Sequence, residues 1–409
     1  MEKEEKMDQN DHRIIGKELD LFTFSELVGS GLPLWTPKGT ILREELDTFV
    51  QDLRAKYNYN RVTVPHITKR ELYEKSGHWT KFAEDLFKIT SREGKEYALK
   101  PMSCPHHTQI FDRKPHSYRE MPERYAETTM VYRDEQSGEL GGLTRVLSIT
   151  QDDAHVFCRQ NQVKEEFLKI WDIVQEFYGT FGFDLRIRLS FHDPKEPEKY
   201  LGDKNRWTLA ERILREIAQE KGADTYEGIG EAAFYGPKVD FMAKDSLGRE
   251  WQVATIQLDL NMPERFDLTC INEKGEKERI VMIHAAIMGS IERFLSIIIE
   301  HLAGAFPTWL APVQARVLPI GEAHQEFSRV VLEKLKAAGV RAELDESNES
   351  LGKKIRDAKK MKVPYLLVIG DAEVSAQSAS LESRDKGKIG VLSIPEIIAK
   401  LQGEIKSRR

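Results

Sequence analysis

Apolar residues recur at steps of three and four positions in several parts of this chain, which is the spacing of an amphipathic helix. The helices predicted from this spacing cover residues 42–53, 161–181, 208–221 and 285–302. Runs rich in β-branched and aromatic residues predict strands at 60–65, at several places between 85 and 160, at 232–243 and at 250–260. Pro65 closes the first of these runs, so that strand is expected at a sheet edge or a strand end. These elements favour an α+β fold, a mostly antiparallel sheet with helices packed around it.

The pattern becomes more regular after Phe306–Pro312, a segment that predicts a hinge between domains. Strands and helices then alternate at 313–320, 322–338, 340–345, 350–361 and 365–369, before a hairpin and a final helix at 395–406. This alternation predicts a small α/β domain of about a hundred residues. We therefore predict a polar N-terminal arm at 1–18, a larger domain at 19–309 and the small domain at 310–409.

Composition narrows the class of protein. The length of 409 residues fits two to three domains, and 40% hydrophobic with 31% charged residues is typical of a soluble globular protein. The charged start lacks the apolar core of a signal peptide, and three cysteines favour a reducing cytoplasm. The net charge of −6 gives no general sign of nucleic-acid binding. From Ala311 onward, however, basic residues outnumber acidic ones, which weakly indicates a basic C-terminal module.

Three distant residues, Cys104, His155 and His284, lie in local sequences that suggest a shared metal. One thiolate and two imidazoles suit Zn²⁺, and three protein ligands leave a coordination position open for a substrate. Their separations of 51 and 129 residues (155−104 and 284−155) match no local zinc motif. Taken singly, the cysteine could be a small buried hydrophobe and each histidine a satisfied core residue.

Two arginine-bearing segments look suited to a nucleoside triphosphate. The segment Arg133–Gly138, followed by Arg145, predicts two strands with a turn that point Arg133 and Glu135 to one face. A guanidinium can stabilise phosphate, and a carboxylate can accept from the amine of a purine. In Gly289–Phe294 a small pair opens a helix, and Arg293 can stack on a base or reach a terminal phosphate. Each could be an ordinary surface arginine, but they occur together with the metal set.

These segments resemble known motifs. Arg133-Asp134-Glu135 is similar to motif 2, Gly289–Phe294 to motif 3, and the helix and strand ending at Pro65 to motif 1 of class II aminoacyl-tRNA synthetases. Further segments resemble the threonyl-tRNA synthetase family: Ser76–Trp79, Lys100–Pro105, Thr150–His155, Ala233–Lys238 and Phe306–Pro312. The resemblance runs from about residue 11 to the end. It implies a class II catalytic domain at 19–309, an anticodon-binding domain at 310–409 and a homodimer formed through motif 1.

The resemblance also implies an activity, the ATP-dependent activation of L-threonine to threonyl-adenylate and its transfer to the 3′ end of tRNA(Thr). One Zn²⁺ per subunit would bind threonine through its amino and hydroxyl groups, and Mg²⁺ would accompany ATP. Valine lacks the hydroxyl, and a purely apolar pocket would separate such isosteres only about a hundredfold. Contact between the metal and the substrate hydroxyl would therefore separate threonine from valine more strongly than an apolar pocket can.

The roles implied for individual residues follow the same resemblance. Asp153 would bind the substrate ammonium, and Arg133 and Gln151 would hold the carboxylate and α-phosphate. His78, near Tyr235, is the candidate proton relay when the ribose of tRNA attacks. The predicted catalytic residues are Arg133, Lys238, Arg293, His78 and Tyr235. The predicted substrate- and ATP-binding residues are Met102, Glu135, Arg145, Gln151, Asp153, Gln252, Thr255, Gln257 and Ser290.

Several positions depart from the family pattern. In the expected active site these are Ile149, where a phenylalanine usually stacks on adenine, and Gly141, Leu147, His106 and Ala285. An aliphatic residue at 149 is expected to weaken ATP binding by about 1 kcal/mol. In the small domain Glu382 stands where an arginine would meet the anticodon, and its carboxylate would repel RNA phosphate. The basic residues still available to contact the RNA backbone are Lys353, Lys354, Arg356, Lys359 and Lys360.

Two alternatives remain open from the sequence. The departures allow a synthetase-like regulator that binds RNA or amino acid without turnover, whereas an amino-acid:carrier-protein ligase would lack the 310–409 domain.

Serine differs from threonine by one methyl group, worth about 1–3 kcal/mol at most. Because only about ten residues precede the resemblance, we expect this chain to form seryl-tRNA and not to hydrolyse it. Rapid deacylation of seryl-tRNA by this chain alone would contradict that expectation.

Overall fold

A computed structural model describes residues 10–244 and 248–408. The chain forms two compact units. The central unit comprises Val28–Leu32 and Asp47–Leu295, and the terminal unit comprises residues up to Leu27, Pro33–Leu46 and Ser296 onward. The domain limit predicted at residues 309 and 310 therefore lies inside the terminal unit. Within the described parts of the chain, no helix is both long and apolar enough to cross a membrane.

The helices begin and end at defined residues. They are α1 (His12–Glu18), α2 (Pro37–Ala55), α3 (Arg70–Ser76), α4 (His78–Lys81), α5 (Cys104–Phe111), α6 (Val163–Thr180), α7 (Lys204–Glu220), α8 (Met262–Arg265), α9 (Ile291–His301), α10 (Gln325–Ala337), α11 (Leu351–Lys360), α12 (Asp371–Ala376) and α13 (Ile394–Ser407).

The strands likewise have clear limits. They are β1 (Phe22–Thr23), β2 (Leu34–Trp35), β3 (Asn60–Arg61), β4 (Ile67–Lys69), β5 (Lys88–Thr90), β6 (Glu96–Leu99), β7 (Glu123–Tyr132), β8 (Ser148–Cys158), β9 (Leu185–Phe191), β10 (Thr225–Ile229), β11 (Lys238–Lys244), β12 (Glu250–Asp259), β13 (Thr269–Ile271), β14 (Lys277–Arg279), β15 (Val281–Ser290), β16 (Ala315–Pro319), β17 (Ala342–Leu344), β18 (Tyr365–Ile369), β19 (Ser378–Ser383) and β20 (Gly387–Ser393).

An eight-stranded sheet forms the core of the central unit, in the order β10-β9-β11-β12-β15-β8-β7-β3. Neighbouring strands are antiparallel except for the outermost pairs, β10 with β9 and β3 with β7. The predicted edge position of residues 60–65 is thus confirmed by β3. Helix α6 covers one face of the sheet, where Trp171 packs against Phe241 with ring centroids 4.9 Å apart. The α+β fold class predicted from the sequence is confirmed.

A buried ion pair ties α2 to the middle of this sheet. The guanidinium of Arg54 donates to Oδ2 of Asp152 at 3.0 Å and to its backbone oxygen at 2.8 Å. The same carboxylate accepts from the backbone N–H groups of Ile287 and Met288 at 2.7 and 3.1 Å. These two groups lie where the register of β15 against β8 shifts, so Asp152 replaces the ladder hydrogen bonds that the irregularity removes.

The terminal unit contains a second sheet, in the order β17-β16-β18-β19-β20. Strand β16 is parallel to both β17 and β18, and the remaining pairs are antiparallel. Its core includes Val317, Leu335, Leu367, Leu381 and Ile397, all buried. The alternation of strands and helices predicted beyond residue 312 is confirmed, with one addition: α12 precedes the β19–β20 hairpin.

The prediction of a long helix at 285–302 was wrong, because β15 continues to Ser290 and the helix begins only at Ile291. A strand buried on both faces reads as a continuous apolar run, which periodicity cannot distinguish from a buried helix. Helix α5 was missed within the region interpreted as strands and turns, although Pro105 in its first turn is a common helix-start signal.

The predicted N-terminal arm differs as well. Residues 12–18 form α1, which begins after Asp11, whose side chain accepts from the backbone N–H of Arg13, and buries Ile15. Residues 1–9 of that arm lie outside the described residues.

Candidate active site and metal centre

One face of the eight-stranded sheet carries two adjacent rows of mostly polar side chains. Directly opposed positions on β11, β12, β15 and β8 place Lys238, Gln257, His284 and His155 in the first row. The next row holds Asp240, Thr255, Ala286 and Asp153. Side chains alternate between faces along a strand, and opposed neighbours lie about 5 Å apart at Cβ. The register of the sheet thus assembles residues that are far apart in sequence, on the face opposite α6.

Cys104 joins the first row from α5, whose first residue it is. Its Sγ and one ring nitrogen each of His155 and His284 lie within 4.8 Å of one another, and all three residues are buried. Nε2 of His155 is 3.1 Å from Nδ1 of His284. Two nitrogens bound to a tetrahedral zinc ion at 2.0–2.1 Å would be about 3.3 Å apart, so the spacing and the donor types fit zinc. The structure brings the three predicted metal ligands together.

The imidazole of His284 is fixed from two sides. Its Nε2 donates to Oδ2 of Asp259 at 2.9 Å, which leaves the lone pair of Nδ1 directed at the cluster. The ring of Tyr235 stacks on it at 4.6 Å with an interplanar angle of 19°, and the hydroxyl of Tyr235 donates to Gln257. A carboxylate behind a ligating histidine is a common feature of metal sites. Asp259 was not predicted from the sequence, because nothing in its local pattern marks it.

Burial sets the charge state of the other two groups. Desolvation lowers the pKa of His155 well below its usual value and raises the pKa of the Cys104 thiol. The imidazole is therefore neutral, the form that binds a metal, while the thiol needs a nearby cation to ionise.

His78 is buried beside this cluster, with its Nδ1 2.8 Å from Oγ of Ser76 and its Nε2 3.0 Å from Sδ of Met102. Burial lowers the pKa of His78 to about 3, so its ring is uncharged at neutral pH. Tyr235 was predicted to lie near His78, but its ring stacks on His284. The ring that contacts His78 edge to face is that of Phe234, with centroids 5.1 Å apart.

Three arginines lie close to one another, and one of them, Arg133, acts electrostatically on Cys104. Arg133 follows the end of β7, and its guanidinium lies over the ring of Phe82 at 5.4 Å. Arg293, the third residue of α9, donates from Nε to the backbone oxygen of Thr144 at 2.9 Å. Burial, followed by the positive charges of Arg133 and Arg145, lowers the pKa of Arg293. Cations close enough to repel one another form a site for a polyanion.

The prediction that Arg133 and Glu135 share a strand face was wrong, because both lie in the loop between β7 and β8. Glu135 is instead bound to Nε of Arg145 at 2.7 Å. Nε of Arg133 is buried and has no hydrogen-bond partner among the described residues. A buried donor without an acceptor is costly, which points to a ligand oxygen as its partner.

Asp240 in the second row binds several predicted site residues. Its carboxylate is 3.2 Å from Nζ of Lys238 and accepts from Oγ1 of Thr255 at 2.9 Å and from Nη2 of Arg188 at 3.0 Å. Arg188 also donates to Oε1 of Gln252 at 3.0 Å. Neither Asp240 nor Arg188 was predicted from the sequence. Asp240 could have been identified from its position two residues after Lys238 on a predicted strand, which puts both side chains on the same face.

We predict that replacing Asp240 by asparagine destabilises the fold by about 3–5 kcal/mol, because the largely buried Lys238 loses its carboxylate partner and Arg188 keeps only the half-exposed Glu231 at 3.3 Å. Unfolding in guanidinium chloride measures the change. The matched control is Asp267→Asn, which removes an exposed ion pair with Arg279 and is expected to cost less than about 1 kcal/mol. Equal midpoints for the two variants would contradict the prediction.

The remaining predicted residues also border this face. Gln151 and Ser290 are opposed across β8 and β15, and Oγ of Ser290 donates to Glu292 at 3.1 Å. Oδ2 of Asp153 accepts from the backbone N–H of Ser103 at 2.9 Å, and burial raises the pKa of Asp153.

The departures from the family pattern occupy different environments. Ala285 lies between two residues of the site face and therefore points to the opposite face. Ile149 on β8 is opposed to Val131 on β7. His106 is buried in α5, and neither of its ring nitrogens has a partner among the described residues.

Comparison with known proteins agrees with this geometry. Residues 87–302 match the tRNA synthetase class II core domain (G, H, P, S and T), and residues 314–404 match the anticodon binding domain. The chain is 47% identical to the threonine–tRNA ligase of Chloroherpeton thalassium over 99% of its length, and 48% identical to that of Thermus thermophilus over 99%. It spans 62% of the length of each of these curated relatives.

A solved structure leads to the same family. The RNA binding domain of threonyl-tRNA synthetase from Cryptosporidium parvum superposes with a TM-score of 0.92 at 37% identity, covering 96% of this chain and 98% of that one. The chain belongs to the threonyl-tRNA synthetase family of class II aminoacyl-tRNA synthetases.

Proposed function

We propose that this chain activates L-threonine with ATP and transfers it to the 3′ end of tRNA(Thr). The observation that carries the proposal is the buried cluster of Cys104, His155 and His284 together with a group of arginines, of which Arg133 is close enough to Cys104 to act electrostatically on its thiol. The first supplies a place for a small polar amino acid, and the second a place for a triphosphate. Membership of the family supports both assignments.

The metal proposed for the cluster is Zn²⁺, one ion per subunit. With three protein ligands it would keep coordination space for the amino and hydroxyl groups of threonine. Asp153, buried in the neighbouring row, would bind the substrate ammonium, since a carboxylate and an ammonium compensate each other's desolvation. Tyr235, Gln257 and Met102 would form the walls around the amino acid, as their contacts with His284 and His78 place them beside the cluster.

The arginines and Lys238 would bind ATP. Arg133, with its unpartnered Nε, and Gln151 would hold the amino-acid carboxylate and the α-phosphate, and Lys238 would stabilise the same developing charge. Arg145 and Arg293 would bind the outer phosphates together with Mg²⁺. Gln252, Thr255, Ser290 and Glu135 would line the nucleoside side of the site. His78 is neutral and would serve as the proton relay during transfer.

We further propose the larger arrangement predicted from the sequence. An arm at 1–18 that includes α1, a catalytic domain at 19–309 and an anticodon-binding domain at 310–409 would act in a cytoplasmic homodimer. The exposed edge strand β3 supports association through the motif 1 region. The anticodon domain would contact tRNA through the exposed basic residues of α11, among which Lys359 pairs with Glu382 and so offsets the repulsion expected from that carboxylate. Lys354, expected from the sequence to contact RNA, is instead buried and donates to the backbone oxygens of Pro319 and Asp345.

Threonine-dependent exchange of pyrophosphate into ATP tests the proposal. We expect exchange with threonine and a rate about 10⁴-fold lower with valine, because a site that binds a substrate hydroxyl rejects an analogue lacking it. Prior removal of metal by a chelator should abolish the exchange, and added Zn²⁺ should restore it. A regulator without turnover would show no exchange with any amino acid, and that result would overturn the proposal.

A further inference from the structure

The second ring nitrogen of His155 contacts another histidine. Nδ1 of His155 is 2.7 Å from Nδ1 of His107, and the two rings meet edge to face with centroids 4.7 Å apart. His107 lies in α5, three residues after Cys104, and is fully buried. The same short helix therefore contributes the thiol of the cluster and the neighbour of one of its imidazoles.

A buried carboxylate lies beyond His107, on the side of the ring away from His155. Oε1 of Glu127, a buried residue on β7, is 3.6 Å from Nε2 of His107. Nζ of Lys100 and the backbone N–H of Val64 approach Glu127 at 3.4 and 3.2 Å, so the carboxylate is held in place. A carboxylate favours an N–H group facing it. At 3.6 Å this contact is too long for a hydrogen bond, and Nε2 of His107 has no hydrogen-bond partner among the described residues, so Glu127 favours hydrogen on Nε2 through its charge alone.

The consequence for His155 follows from the contact between the two rings. Binding of the proposed metal by one ring nitrogen of His155 requires hydrogen on the other, Nδ1, which then donates to Nδ1 of His107 at 2.7 Å and leaves the lone pair of His155 on Nε2. That atom faces Nδ1 of His284 at 3.1 Å. Asp153 does not fix this tautomer, because its Oδ1 is 3.6 Å from Nε2, too far for a hydrogen bond.

On the basis of the proposed metal site, we infer that His107 is a positioning residue that fixes the ring orientation and tautomer of His155 for metal binding. The two imidazoles of the cluster are then supported in different ways. His284 donates directly to the carboxylate of Asp259, whereas His155 donates to His107, whose other ring nitrogen faces the carboxylate of Glu127 at 3.6 Å. Groups that orient metal-ligating histidines in this manner raise the affinity for the metal.

Zinc affinity of the full chain tests this role, measured by competition with a chromophoric chelator. His107→Phe keeps an aromatic ring and removes the acceptor, and we expect affinity to fall about 10- to 100-fold. His107→Asn places an amide oxygen close to the position of Nδ1 and should restore most of the affinity. The absorption spectrum of the Co²⁺-loaded protein should change for His107→Phe and not for His107→Asn.

His106→Phe is the matched control, since His106 is the adjacent buried histidine and its ring nitrogens have no partner among the described residues. It should bind zinc like the unsubstituted chain. Thermal unfolding of each apo-protein separates loss of affinity from loss of fold. Equal affinities for His107→Phe and His107→Asn, whether both reduced or both unchanged, would overturn the inference. If the unsubstituted chain bound no stoichiometric zinc, the proposed metal site itself would fail.

Discussion

Replacing Cys104 by serine is expected to abolish stoichiometric zinc binding and to lower threonine-dependent pyrophosphate exchange about 10⁴-fold. A serine hydroxyl does not ionise in a buried site, so the cluster would lose its anionic ligand. His155 and His284, whose facing ring nitrogens are 3.1 Å apart, would then be the remaining ligands. Both are uncharged donors, so no ligand would offset the positive charge of the metal. Metal analysis of the purified variant and the exchange assay measure the two effects.

The chain provides a matched control for this substitution. Cys158 is a free, fully buried cysteine on β8, the strand that carries His155, and it is not part of the cluster. Cys158→Ser should therefore retain one equivalent of zinc and most of the exchange activity. A full equivalent of tightly bound zinc in Cys104→Ser would show that the thiol is not a ligand.

Replacing Arg133 by glutamine is expected to reduce the rate of adenylate formation by about 10²–10³-fold, the usual effect of removing one oriented donor from a developing charge. The guanidinium of Arg133 is held over Phe82 at 5.4 Å, and its buried Nε has no partner among the described residues. The fold itself therefore leaves this donor available to substrate. Pre-steady-state formation of adenylate measures the effect on the chemical step.

Arg119→Gln is a suitable control for Arg133→Gln. Arg119 also lies over an aromatic ring, that of Tyr118 at 5.5 Å, but it is exposed to solvent. Loss of that contact should leave adenylate formation unchanged. Similar losses for both variants would indicate a general effect of removing a stacked arginine, and Arg133 would then have no special role.

The convergence of Cys104, His155 and His284 was predictable from the sequence because each of them stands in a distinctive local motif. The residues that orient them were not. Asp259, His107 and Glu127 lie in ordinary amphipathic or apolar contexts, and only the register of the strands and the placement of α5 show what they contact. Cross-strand neighbours depend on pairings between distant segments, which single-sequence periodicity does not contain.

The incorrect assignment of residues 285–290 to a helix has a physical cause. Residues 281–290 form a central strand that is almost entirely buried, and its unbroken apolar composition resembles that of the helix that follows it. The small α/β domain was easier to predict, because its helices have one exposed face and its strands are short. Amphipathic elements reveal their type in sequence, whereas fully buried elements do not.

The alternation of side chains along β8 has a consequence for how this protein can vary. His155, Asp153 and Gln151 occupy every second position, so deleting a single residue between Gln151 and Cys158 would turn some of them toward Trp171 and the apolar layer of α6. The loop Arg133–Leu147 has no such constraint along most of its length. Natural insertions and deletions should therefore accumulate in that loop and be absent from the strand.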